Sequence, residues 1–189
     1  KKMKRLGQHF LKNKSAVAKI ITALEIKSGD EIFEIGPGEG ALTFPLAKVC
    51  AEKNAVLIAI EKDLLLVQKL ETEAKEQGLP LKIIPGDALA VLPAELGNRK
   101  RDFKISGNIP YYITGKLLRL MTEAEKKPLK AVLMLQKEVA ERLSAQPPKM
   151  NLLAAAVQIF FSPKNILNLS PDNFDPPPAV WSSVVSLSL

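Results

Sequence analysis

Residues 31–41 read EIFEIGPGEGA, a short apolar-rich segment that runs straight into glycines. Glu31–Ile35 has the length and the Ile/Phe content of a buried strand. Gly36-Pro37-Gly38-Glu39-Gly40-Ala41 then permits a tight turn and lets a ligand approach the backbone, with the next helix offering free N–H groups. The run satisfies both GxGxG and GxGxxA, so it points to a nucleotide-like cofactor without choosing among them. A structural turn with no ligand is the competing reading.

Outward from this point the chain alternates short apolar runs with longer amphipathic ones. Residues 41–51 continue as a helix, residues 55–60 (AVLIAI) form a second strand, and a helix covers 63–77. Residues 81–84 make a third strand, 103–106 a fourth and 129–135 a fifth, with a helix over 137–144. Upstream, 15–24 (SAVAKIITAL) reads as a helix capped by Ser15. Residues 152–161 and 182–189 complete the series as strands, a late antiparallel pair. Residues 171–178 (PDNFDPPP) read as a proline-stiffened loop. Strands separated by helices predict an α/β fold, a mostly parallel sheet covered by helices on both faces.

At 189 residues the chain fits one domain with a substantial core, and 47% hydrophobic content with 25% charge suits a soluble globular protein. The apolar stretch 152–161 is interrupted by Gln158 and is too short to span a bilayer. No secretory signal pattern opens the chain. Cys50 is the single cysteine, which excludes an internal disulfide and suits a reducing cytoplasm. One cysteine and one histidine, His9, also argue against a zinc site. Charge is uneven: residues 1–30 hold eight Lys/Arg against Glu25 and Asp30, a balance of +6 out of the total of +7. A basic N-terminal arm, residues 1–14, before a nearly neutral domain suggests a polyanionic partner, against the plainer reading of a solvated terminus. Arg99-Lys100-Arg101 and Lys126-Lys127 read as loop solvation, with added phosphate contacts as the alternative.

Open sheets of this type bind ligands beyond the carboxyl ends of their strands. Glu61 ends the second strand, 21 residues past Gly40, where a carboxylate can accept both hydroxyls of a ribose. Asp87, after the third, can accept from a cofactor's adenine amino group or cap the following turn. The dinucleotide pattern does not require this acid, which favours S-adenosylmethionine (SAM) over NAD. After the fourth strand stand Asn108-Ile109-Pro110-Tyr111. An adenine amino nitrogen is a poor nucleophile because its lone pair is delocalised. Two acceptors aimed at its hydrogens, the Asn108 side-chain oxygen and the Pro110 carbonyl, would favour a tetrahedral nitrogen, and Tyr111 offers a flat stacking face. Pro110 stiffens the segment. A proline turn with core tyrosines is the structural alternative.

Together these residues resemble the rRNA adenine-N6 dimethyltransferases, which include the small-subunit rRNA dimethylases of the kasugamycin-sensitivity type and the erythromycin-resistance methylases. Gly7-Gln8-His9-Phe10-Leu11 resembles the family's GQ(N/H)FL opening, Glu34–Gly38 its cofactor loop, Asn108–Tyr111 its N(L/I)PY segment and residues 136–143 its QKEVAERL helix. Phe174, Pro176, Pro178, Val180 and Ser182 follow its F-x-P-x-P-x-V-x-S run. The resemblance implies a Rossmann-like SAM-dependent methyltransferase domain over residues 1–189. It implies SAM contacts at Gln8, His9, Leu11, Gly36, Gly38, Glu61, Asp87, Ala88 and Asn108, with no metal. It implies catalytic roles for Asn108, Pro110, Tyr111 and Phe174, the two rings sandwiching a flipped adenine. The implied reaction is N6,N6-dimethylation of two adjacent adenosines in a hairpin near the 3′ end of small-subunit (16S) rRNA, by a cytoplasmic monomer acting on the small subunit or its precursor. A large-subunit (23S) methylase and a non-enzymatic ribosome-assembly factor are the alternatives, with DNA adenine methylation and an NAD dehydrogenase further behind. Tyr112 stands where the family commonly has Asn or His, and the family's small helical C-terminal domain is absent from these 189 residues.

Overall fold

The computed structural model describes residues 9–97, Arg99 and residues 101–189; Gln8, the arm cations Lys1, Lys2, Lys4 and Arg5, and Lys100 lie outside the described residues. The elements begin with β1 (Phe10–Leu11), α1 (Lys14–Leu24), β2 (Glu31–Ile35), α2 (Thr43–Glu52), β3 (Val56–Glu61) and α3 (Leu64–Glu76). They continue with β4 (Leu81–Pro85), α4 (Ala88–Gly97), β5 (Phe103–Asn108), α5 (Thr114–Glu123) and β6 (Lys130–Gln136). Last come α6 (Lys137–Leu143), α7 (Leu152–Phe160), β7 (Ser162–Leu169), β8 (Phe174–Asp175) and β9 (Ser182–Ser188).

Seven strands form one sheet in the order β4-β3-β2-β5-β6-β9-β7. The first five are parallel, and β9 runs antiparallel between β6 and β7. The chain walks outward from β2 through β3 to β4, then returns to β5 on the other side of β2. The strand order therefore reverses between β2 and β5, and a crevice opens at their carboxyl ends. Burial alternates with the pleat. Ile32, Leu57, Val132 and Met134 pack under α1 and α2, while Phe33, Ile58, Ile105 and Leu133 pack under α4, α5, α6 and α7. Two covered faces explain why the strands read as nearly continuous apolar runs.

Several expectations are corrected. Residues 152–161 are not a strand: α7 fills 152–160, because Leu-Leu-Ala-Ala-Ala is rich in strong helix formers and the Asn151 side chain caps the Ala154 N–H at 2.7 Å. Its period was masked by a run apolar on every side, since Val157 and Ala154 are buried while Leu152 and Ile159 face outward. The antiparallel partners of β9 are instead β6 and the edge strand β7, where Pro163 and the register break between Asn165 and Leu167 are tolerated. The cap of α1 is Asn13, whose Oδ1 accepts the Ala16 N–H at 3.0 Å, rather than Ser15. Helices α4 and α5 were not anticipated. The 171–178 loop holds a short 3-10 turn (Pro171–Asn173) and β8. Arg99 is not loop solvation: it is largely buried, paired with Glu31 and Glu95, with its guanidinium 4.7 Å from the Phe33 ring centroid. Among the described residues no helix is long and apolar enough to cross a membrane.

Candidate active site

The crevice at the strand-order reversal is walled by the loops after β2, β3, β4 and β5 and closed from the other side by β1 and β8. It brings together His9, Leu11, Gly36, Gly38, Glu61, Asp87, Ala88, Asn108, Pro110, Tyr111 and Phe174, every site residue expected from the sequence except Gln8, which is outside the described residues. The small β1–β8 sheet makes this convergence, pairing Leu11 with Phe174 and Phe10 with Asp175. Asn13 and Asn173 pin it further, Nδ2 to Oδ1 at 2.7 Å.

The glycine loop is built for close approach. Gly38 sits at φ +59°, and a Cβ there would stand 2.8 Å from the Phe10 ring. Its N–H donates to Glu61 Oε2 at 3.1 Å, while the Asp63 N–H donates to Glu61 Oε1 at 2.9 Å. Glu61 is thus held rigidly at the end of β3, and each oxygen keeps a second lone pair for a ligand diol. Asp87 caps the turn that follows β4, one of the two readings of its position. Its Oδ1 accepts the Leu89 N–H at 3.0 Å and caps α4, and its Oδ2 meets Lys62 Nζ at 3.1 Å on the rim. The Lys62 ammonium, with the Leu89 N–H, holds the Asp87 carboxyl below the usual range.

Glu34 is the site residue that sequence reasoning noticed only as part of the loop. It is buried on the α1–α2 face, with Oε1 accepting from Thr43 Oγ1 at 3.0 Å and Oε2 finding no partner among the described residues. Burial pushes its carboxyl up to about 8. The signal was present: Glu34 has the same pleat parity as Ile32, so its side chain had to enter the core.

Asn108 is fixed through His9. The Asn108 Nδ2 donates to the His9 carbonyl at 2.7 Å, and His9 Nδ1 lies 2.7 Å from the Pro176 carbonyl, to which it must donate. With its amino end committed, Asn108 keeps Oδ1 as an acceptor that no described residue satisfies. The Pro110 carbonyl is not free as expected. It accepts the Ile113 N–H at 3.1 Å and Thr114 Oγ1 at 3.3 Å in the turn that opens α5. The Ile109 carbonyl has no donor among the described residues, and the Ile109 N–H is anchored to the Met134 carbonyl at 3.0 Å.

Tyr111 is 39% exposed and stacks on His9, ring centroids 6.3 Å apart at 27°. Burial pushes its phenol up, opposed by the neighbouring Ser182 hydroxyl. Phe174 reaches the crevice wall but is only 1% exposed, packed in the core beneath α1. Among the described residues, the carboxyls lining the crevice, Glu34, Glu39, Glu61 and Asp87, outnumber the lysines, of which Lys62 is one. Among the described residues there is no cluster of metal-ligating side chains.

Against known proteins, the family described as ribosomal RNA adenine dimethylase matches residues 1–189. The ribosomal RNA small subunit methyltransferase A of Dehalococcoides mccartyi is 39% identical over 186 residues, covering 98% of this chain and 62% of the relative. The Pyrobaculum aerophilum protein described as probable ribosomal RNA small subunit methyltransferase A is 43% identical over 188 residues, covering 98% of this chain and 75% of that one. This chain therefore spans about three fifths to three quarters of the length of these relatives. The crystal structure of a dimethyladenosine transferase from Plasmodium falciparum superposes with a TM-score of 0.83 at 33% identity, over 95% of this chain and 63% of that one. A 23S rRNA methyltransferase shares the fold with a TM-score of 0.81 at 24% identity, over 95% and 69% of the two chains.

Proposed function

The chain belongs to the ribosomal RNA adenine dimethylase family, and from that premise we propose that it is the catalytic domain of a SAM-dependent enzyme that dimethylates N6 of two adjacent adenosines near the 3′ end of 16S rRNA. The small ribosomal subunit or its precursor is the partner, met in the cytoplasm by a monomer. The small-subunit target is favoured by the names of the relatives at 39% and 43% identity.

The cradle suits a cationic nucleoside. With Glu34 holding its proton, the three ionised carboxyls Glu39, Glu61 and Asp87 still outweigh Lys62 among the described lining residues, a balance that disfavours the pyrophosphate of a dinucleotide and favours a sulfonium and an ammonium. Gly36 and Gly38 leave the backbone open where side chains would fill the space, Glu61 accepts the ribose hydroxyls, and Asp87 with Ala88 receives the adenine. His9 and Leu11 close the cradle from β1. When bound, SAM supplies an electrophilic methyl group on a sulfonium.

The observation that carries the proposal is the committed orientation of the Asn108 amide. Its Oδ1 and the unclaimed Ile109 carbonyl are the two acceptors for the N6 hydrogens of a target adenine. Accepting both draws the nitrogen lone pair out of ring conjugation, and no strong base is required. Pro110 restricts Ile109 to an extended backbone and spends its own carbonyl on the turn, so its role is to hold the segment still. Tyr111 stacks on the base, and Phe174 backs the wall behind it.

Labelled methyl transfer from SAM to purified small-subunit particles and to protein-free 23S rRNA tests the assignment. Label in N6,N6-dimethyladenosine of 16S rRNA is expected; label confined to 23S rRNA refutes the small-subunit target, and none in either refutes the enzyme. Asn108→Ala is expected to abolish transfer while SAM affinity in calorimetry stays within about threefold, the loss falling on kcat.

A further inference from the structure

We infer that Trp181 and Lys137 form a stacking platform for a nucleotide adjoining the target adenosine in single-stranded RNA; this rests on the RNA methyltransferase reading above. Trp181 is the chain's sole tryptophan, and 50% of its surface is exposed. It belongs to none of the core clusters, so core packing does not account for it. Its backbone is nevertheless held firmly. The Trp181 carbonyl accepts the Lys137 N–H at 2.9 Å, and the next residue, Ser182, pairs with Gln136 at the end of β6. That places the indole at the carboxyl edge of the sheet, one residue from a side chain that lines the crevice.

The ring has a cation beside it. Lys137 Nζ lies 5.5 Å from the indole centroid, and its ion pair with Glu141 is a long 3.8 Å contact. A flat face and a lightly paired ammonium are the two things a nucleotide needs, one for its base and one for its phosphate. The platform adjoins the proposed base site through Ser182, which follows Trp181 in the chain and lines the crevice together with Tyr111. Tyr112, 63% exposed, adds a further open ring to the crevice mouth. Bases in a duplex already stack on one another and present no free face, so the occupant is single-stranded. Stacking of this kind tolerates any base, so the platform adds affinity and register and leaves the choice of target to the crevice.

Because no other tryptophan is present, emission excited at the red edge, where tyrosine does not absorb, reports on this residue alone. Titration with a single-stranded RNA heptamer that contains two adjacent adenosines is expected to quench the emission saturably, and a blunt duplex of the same sequence to leave it unchanged. By anisotropy of the end-labelled heptamer, Trp181→Ala is expected to raise Kd about 5- to 100-fold, with SAM affinity unaltered. Trp181→Phe restores most of the affinity, and Lys137→Gln lowers the slope of log K against log salt by about one. Emission indifferent to the heptamer, or equal quenching by the duplex, overturns the platform. Should the wild-type chain transfer no methyl group to RNA, the proposed activity fails, while the fluorescence titration still decides the platform.

Discussion

Replacing Glu34 by Gln isolates the cost of a buried carboxyl at the heart of the crevice. Burial raises the folded-state value to about 8, from an ordinary value of 4.5. Between these limits the folded chain holds a proton that the unfolded chain has released. The contribution of protonated Glu34 to stability is therefore complete below 4.5 and is lost as pH rises through about 8. The slope is about 1.4 kcal/mol per pH unit, so roughly 3 to 4 kcal/mol disappears between about pH 5 and 8. Gln keeps the shape and the bond to Thr43 but cannot ionise. Whatever it costs to bury the amide is independent of pH and drops out of the comparison. Urea unfolding of both proteins without ligand, at pH 5, 6, 7 and 8, is the assay. The stability difference is expected to move in favour of Glu34→Gln by roughly 3 to 4 kcal/mol across that range. A difference that stays constant with pH refutes a neutral Glu34 in the folded chain.

Asp87→Asn is expected to separate stability from binding: its ion pair with Lys62 is on the exposed rim, so unfolding free energy changes by less than ~1 kcal/mol. SAM affinity, read by calorimetry, is expected to fall if the proposed charged acceptor for adenine is removed. Gly107→Ala is expected to be severe, because a Cβ there would lie 2.3 Å from the Ile35 carbonyl oxygen, with the backbone at φ +154° in the middle of the sheet. A loss above ~3 kcal/mol by urea unfolding, or failure to fold, is the outcome to look for; near-wild-type stability contradicts the register of β5 on β2.

The residues that could be read directly are those whose chemistry is declared by their place along the chain. Gly38, Glu61, Asp87 and Asn108 each sit at a strand end, and strand ends in a parallel sheet converge whatever the loops do. The strand over residues 152–161 failed for a physical reason: a short, uniformly apolar run carries no period, and Asn151 with three consecutive alanines settles it as a helix only once α5 and α6 are there to cover it. Edge strand β7, with Pro163, Lys164, Asn165 and Asn168, carries almost no strand signal, because its outer side faces solvent and its pairing comes wholly from β9.

Alternation of strand and helix, with glycines and acids at the turns, was enough to determine an α/β nucleotide-type crevice, because backbone sterics and burial act within a few residues of each other. Hydrogen-bond partners far apart in the chain were a matter for the tertiary structure. Only the pairing of β1 with β8 brings His9 against Pro176 and Asn108, and that chain of bonds leaves one amide oxygen unclaimed in the crevice. The raised carboxyl of Glu34 has the same origin, since burial by neighbours from other elements excludes the water that would stabilise its charge.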